Sequence, residues 1–142
     1  MKVVVDTNIF ISAVMSAEGA ARQVLRLCLN DTLQPLMSNA LAAEYEDVSN
    51  RTELFERSMI AREVREELLD AFMSSCTWVT IYYLWRPNSR DEADNHVIEL
   101  AVAGGAEVIV TTNKRDFDAA ELSFPKLRIR TAAEFLAERK MS

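Results

Sequence analysis

Apolar residues in this chain fall into short unbroken runs separated by longer stretches of helical spacing. The runs at residues 3–5 (Val3, Val4, Val5) and 108–110 (Val108, Ile109, Val110) are β-branched throughout and stop at polar residues. Such runs predict strands buried on both faces. Three further strands are predicted at residues 33–37, 78–84 and 127–130, the second rich in β-branched and aromatic side chains. Helices are predicted over residues 8–15, 20–29, 58–75 and 91–103. Ser38 stands where an N-cap would open a helix reaching about residue 50. Thr131 and Glu134 have capping-box spacing for a terminal helix. Gly19 separates the first two helices, and Gly104 with Gly105 stops the one at 91–103.

Strands that are apolar on both faces and alternate with helices imply an α/β fold. The expected architecture is a central, mostly parallel sheet of four to five strands with helices on both faces. Only three glycines and three prolines occur, which leaves little material for a linker, so residues 1–142 are expected to form one domain.

Composition narrows the chemistry. Cys28 and Cys76 lie among apolar, helix-like residues and are expected to be free thiols in a reducing compartment. His96 is the sole histidine, which excludes a His-rich zinc site or a His-based triad built from several such residues. The opening Met1–Val5 starts like a leader, but Asp6, Thr7 and Asn8 interrupt it. No stretch reaches the roughly 18 apolar residues of a spanning helix. A cytoplasmic location without membrane contact is therefore expected. The net charge of −6 opposes nucleic-acid binding. That objection weakens where carboxylates gather around divalent cations, or where basic residues cluster, as Arg86 with Arg90 and Lys114 with Arg115 do.

Sites in open α/β sheets form beyond the carboxyl ends of the strands. The first strand runs into Asp6-Thr7-Asn8; the strand at 108–110 runs into Thr111-Thr112-Asn113, with Asp116 just beyond. Parallel strands would put Asp6 and Asp116 at one edge of the sheet. Two other acids sit on inward helix stripes: Glu44 between Leu41 and Val48, and Asp94 ahead of Val97 and Ile98. Each has a plain alternative: Asp6 as a helix cap, Glu44 on a solvated flank, Asp94 as a first-turn residue, Asp116 as a loop cap. Taken together, inward carboxylates are costly unless paired or metal-bound. Hard oxygen donors without His or Cys suit Mg²⁺ or Mn²⁺. Such ions can drive phosphodiester hydrolysis.

These segments resemble the PIN-domain family. Residues 3–12 look like its opening strand and helix, 110–117 like its late strand and acidic loop, 90–95 like the segment carrying its third acid, and 38–48 like the helix carrying its Glu. The resemblance implies a metal-dependent endoribonuclease, commonly a VapC-like toxin of a type II toxin–antitoxin pair. It implies an RNA substrate, a cognate antitoxin and a homodimer. Carried over by position, Asp6, Glu44, Asp94 and Asp116 form the catalytic, metal-binding set. Thr7, Asn8, Thr111 and Asn113 surround them and orient carboxylates. Arg90, Lys114 and Arg115 are candidates for holding substrate phosphate. Asn113 stands where many relatives have Asp, which removes one charge; Asp91 is taken as a helix cap rather than its replacement.

The alternative is an inactive or weak PIN-fold interaction module, and Asn113 is its support. A receiver-like phosphoacceptor ranks low, because Leu36-Met37-Ser38 and Tyr82-Tyr83-Leu84 stand where it would need acids. A DNA-directed nuclease would use the same acids. His96 is expected to be an exposed surface imidazole. Trp78 and Tyr83 are expected to face the core, with Tyr82, Trp85 and Arg86 as the alternative aromatic–basic surface. Met59, Val64, Leu68 and Phe72 are candidates for a groove that takes a partner helix.

Overall fold

The computed structural model describes residues 1–16, 19–81 and 95–141. Five strands form one sheet: β1 (Lys2–Val5), β2 (Gln34–Met37), β3 (Thr77–Trp78), β4 (Val108–Val110) and β5 (Arg128–Arg130). Their order is β3-β2-β1-β4-β5, and every pairing is parallel. The central strand β1 pairs Val3 with Val108, Val4 with Ile109 and Val5 with Val110, and all six side chains are buried. That is the physical reason for their continuous β-branched sequence: neither face of the strand meets water.

Among the described residues, seven α-helices flank the sheet: α1 (Thr7–Met15), α2 (Ala20–Leu29), α3 (Asn39–Ser49), α4 (Arg62–Ser75), α5 (Asn95–Gly104), α6 (Asp118–Ser123) and α7 (Ala132–Met141). From β1 the chain moves toward one edge through β2 and β3; from β4 it moves toward the other through β5. With right-handed crossovers, those opposite moves place connecting helices on opposite faces. The order reverses beside β1, between β2 and β4. This reversal splits the helices apart and opens a crevice at the carboxyl edge.

Three devices hold the helices that matter for the site. Tyr45 of α3 is fully buried and donates its hydroxyl proton to the Val5 carbonyl at 2.5 Å. Its ring meets Phe10 edge-on, with centroids 5.9 Å apart, and Phe72 at 5.4 Å. Helix α3 is thereby clamped over the end of β1. Ser38 caps α3 by accepting from the Leu41 amide, as the sequence predicts. Gly105 ends α5 with a φ of +72°, the left-handed conformation that favours glycine, and a Cβ on Gly104 would stand 2.5 Å from Leu36 Cδ1.

Several expectations need correction. The strand expected at 78–84 begins at Thr77 and ends at Trp78, although the Val79 amide still donates to the Met37 carbonyl. Residues 82–84 lie outside the described residues. Trp78 does not face the core; it is 51% exposed, because a two-residue strand at the sheet edge has no covering layer. The helix expected at 58–75 begins only at Arg62, preceded by a 3₁₀ turn at Thr52–Phe55. Phe72 belongs to the core rather than to a partner groove, while Met59 and Val64 are exposed. Both cysteines are free, and burial pushes each thiol up to about 12, so neither is a thiolate at neutral pH. Among the described residues, no helix is long and apolar enough to cross a membrane.

Candidate metal centre

Asp6 stands where β1 becomes α1. Its backbone continues the strand, donating from its amide to the Val110 carbonyl, while its side chain caps the helix by accepting from the Thr7 amide at 2.9 Å. The cap and the site acid, alternatives in the sequence, are thus one residue. The Thr111 hydroxyl at the end of β4 donates to Asp6 Oδ2 at 2.8 Å, and Asn8 Nδ2 approaches the same oxygen at 3.2 Å. Asn8 Oδ1 accepts from the Thr112 amide, and Thr111 Oγ1 accepts from the Asn113 amide, each at 3.1 Å. This net ties the ends of β1 and β4 together and fixes the Asp6 carboxylate.

The second acid arrives from α3. Glu44 is half-buried, and Thr7 Oγ1 donates to its Oε1 at 3.0 Å. His96, from the first turn of α5, places Nε2 at 2.6 Å from Glu44 Oε2. Both Glu44 oxygens therefore have protein partners, and three helices (α1, α3 and α5) and the ends of β1 and β4 converge on the acidic pair.

Electrostatics separates the two carboxyls. Burial pushes Asp6 above its ordinary value; the Thr111 hydrogen bond pulls down against this, and the charge of Glu44 adds to the rise. For Glu44 the hydrogen bond from His96 dominates and holds the carboxyl below its ordinary value, with partial burial opposing. An acid buried beside a second acid favours any cation that approaches.

Asp116 lies on the same carboxyl edge, in a 3₁₀ turn at Lys114–Phe117, and its amide donates to the Asn113 carbonyl. Among the described residues, no three acidic, imidazole or thiol groups converge closely enough to hold an ion. Asp94, Arg90 and Asp91 lie outside the described residues, as do Tyr82, Tyr83, Trp85 and Arg86. Lys114 pairs with Glu134 of α7 at 3.1 Å, and Arg115 is exposed.

A family model described as the PIN domain matches residues 2–115, most of the chain. The chain belongs to the PIN-domain family. Its fold is similar to that of VapBC2 from Rickettsia felis, solved bound to a DNA fragment from their promoter: the TM-score is 0.56 at 18% identity, covering 92% of this chain and 98% of that one. A comparison with curated proteins finds no matching relative.

Sequence reasoning missed two residues of this PIN-domain edge. His96 was expected at the surface, yet it bonds Glu44. Its signal is weak, since a helix start next to acidic residues reads equally well as a solvated cap. Glu99 drew no expectation from the sequence, yet it is 2% exposed. Here a signal existed. Val97, Ile98, Leu100 and Ala101 surround it and are all fully buried, and a helix apolar on all sides leaves no polar face for an acid.

Proposed function

We propose that this PIN domain is a metal-dependent endoribonuclease and the toxin of a type II toxin–antitoxin pair, working in the cytoplasm as a homodimer held in check by a cognate antitoxin. The observation that carries the reading is the Asp6–Thr7–Glu44 unit: two carboxylates held by one residue, Thr7 donating its amide to Asp6 and its hydroxyl to Glu44, at the topological reversal of a parallel sheet.

The donor chemistry fits Mg²⁺ or Mn²⁺. Both acids offer hard oxygens, and Asp6 is a desolvated carboxylate whose charge a cation offsets. Asp6 and Glu44 would hold the ion, with Asp94 and Asp116 completing the set directly or through water. A divalent cation bound there supplies Lewis acidity, lowering the pKa of water and offsetting phosphate charge. Thr111 and Asn8 orient Asp6, and Thr7 orients Glu44, so that the carboxylates need not reorganise when substrate arrives. Arg90, Lys114 and Arg115 steady the RNA phosphates.

A second reading, a catalytically weak or inactive interaction module, is favoured by Asn113. This residue is exposed at the site edge and contributes its amide to Thr111 rather than a carboxylate to the centre.

The test is cleavage of end-labelled structured RNAs by antitoxin-free protein with Mg²⁺ or Mn²⁺, with EDTA, and with Asp6→Asn. Cleavage lost in both EDTA and the variant supports the nuclease. Cleavage that persists in Asp6→Asn sinks the assignment. Folded protein that neither cleaves nor binds Mn²⁺ in calorimetry is the inactive module.

A further inference from the structure

Beside the acidic pair, on the same carboxyl edge, lies a cavity of about 260 Å³. Ser38 follows β2 and Val79 follows β3, so the cavity sits past the carboxyl ends of β2 and β3, the two strands on one side of β1. His96 lines it and also bonds Glu44, making one wall common to the cavity and the acidic pair. Trp78 contributes a half-exposed indole to the lining. The volume far exceeds the roughly 30 Å³ share of a water molecule, and suits one flat ring system.

Glu99 gives the cavity its chemical character. It is 98% buried and lines the space, and among the described residues it has no hydrogen-bond or ion-pair partner. Glu99 is the sole acid on α5, which carries no Lys or Arg. Its carboxylate is an acceptor in the cavity lining that no described side chain engages. A ligand that brings donors finds this acceptor open, and an ionised carboxylate accepts through two oxygens side by side.

We propose that this cavity is a base-recognition subsite of the RNA-binding edge, in which Glu99 accepts hydrogen bonds from the Watson–Crick edge of a guanine. The inference rests on RNA being the substrate. Guanine alone among the four bases presents two adjacent donors there, N1–H and the N2 amino group. Adenine and cytosine set an amino group beside an acceptor nitrogen, and uracil sets its N3–H between two carbonyls, so each points a lone pair at the carboxylate. Single-stranded RNA is read in this way, with splayed bases hydrogen-bonded on their edges and stacked on aromatic rings. Trp78 supplies the stacking face, which is sequence-tolerant, and Glu99 supplies the choice. An arginine from a protein partner also carries paired donors. The wall shared with the acidic pair favours the base, because His96 sets the cavity directly beside the centre where the RNA phosphate is proposed to react.

The experiment measures binding of uridine tetranucleotides carrying one guanine, inosine, adenine or cytosine, by fluorescence anisotropy in EDTA, where metal-dependent cleavage is off. The expected result is at least tenfold tighter binding of the guanine oligonucleotide than of the inosine one, which lacks only the N2 amino group. Glu99→Gln brings the four within twofold of one another, and Trp78→Ala weakens all four alike. The guanine–inosine contrast uses the unaltered chain and so does not depend on any variant folding. Equal affinities in the unaltered chain overturn the proposal, as does a preference that survives in folded Glu99→Gln. N-acetyl-arginine amide binding that requires Glu99, with no base preference, overturns it in favour of a protein partner's guanidinium. A chain that discriminates bases yet never cleaves RNA sinks the nuclease and leaves the subsite; a chain that cleaves without discriminating does the reverse.

Discussion

Thr111 Oγ1 donates to Asp6 Oδ2 at 2.8 Å, joining residues 105 positions apart in the chain. The hydroxyl also accepts from the Asn113 amide. One fully buried side chain thus fixes the site acid and shapes the loop after β4.

Thr111→Val keeps the shape and removes these bonds together with the 3.4 Å one from Asn8 Nδ2. It is expected to cost about 1–3 kcal/mol in urea unfolding, the penalty for buried groups left unpaired. Mn²⁺ affinity by calorimetry is expected to fall roughly ten- to a hundredfold, as when other groups that orient metal ligands are removed. Thr111→Ser should retain both properties. Unchanged Mn²⁺ affinity in Thr111→Val means that the hydroxyl does not orient the centre.

The raised proton affinity of Asp6 has a definite sign for stability. Burial, its largest cause, makes the folded state hold the proton more tightly than the unfolded state. Its contribution is therefore fully present below the unfolded carboxyl value and is lost as pH rises through the folded value. At pH 7 the charged Asp6 destabilises the metal-free fold. Asp6→Asn is expected to raise the thermal midpoint of metal-free protein by about 3 °C, equivalent to about 1 kcal/mol in a chain of this size. Mn²⁺ should raise the midpoint of the unaltered chain and leave the variant unmoved. A midpoint lowered in Asp6→Asn would show that the three hydrogen bonds to the carboxylate outweigh its desolvation.

Glu44 carries the opposite sign. The hydrogen bond from His96 holds its carboxyl below the ordinary value, so its contribution is present above the unfolded value and is lost as pH falls through the folded one. His96→Ala should move the Glu44 carboxyl titration upward in ¹³C NMR and start acid unfolding at a higher pH. A Glu44 titration that ignores the substitution means that the 2.6 Å contact is not kept in solution.

The two glycines that end α5 should fail for different reasons. Gly105→Ala meets open space but must hold a left-handed φ of +72°, at about 1 kcal/mol. Gly104→Ala drives a Cβ to 2.5 Å from Leu36 Cδ1, an overpacking expected to cost about 1–3 kcal/mol. Urea unfolding of the two single variants checks the order. Equal stability to the parent at both positions would mean that the loop after α5 relaxes freely.

What the sequence by itself determined follows from local patterning. Val3–Val5 and Val108–Val110 could only be strands covered on both faces, and their polar ends had to lie at one edge once the strands ran parallel. Asp6, Thr7, Asn8 and Thr111 were legible as a group for that reason, and so was the α/β class. The tertiary structure decided the rest. Trp78 is exposed because its strand is short and lies at the edge. His96 meets Glu44 because α3 and α5 converge over the end of β1, and Glu99 is buried because its neighbours Val97, Ile98, Leu100 and Ala101 are all packed into the core. Periodicity records which residues prefer to leave water. Which polar side chains are carried in with them, and what they then face, depends on helix positions fixed by packing such as the Tyr45 clamp, which the order of residues along one helix does not encode.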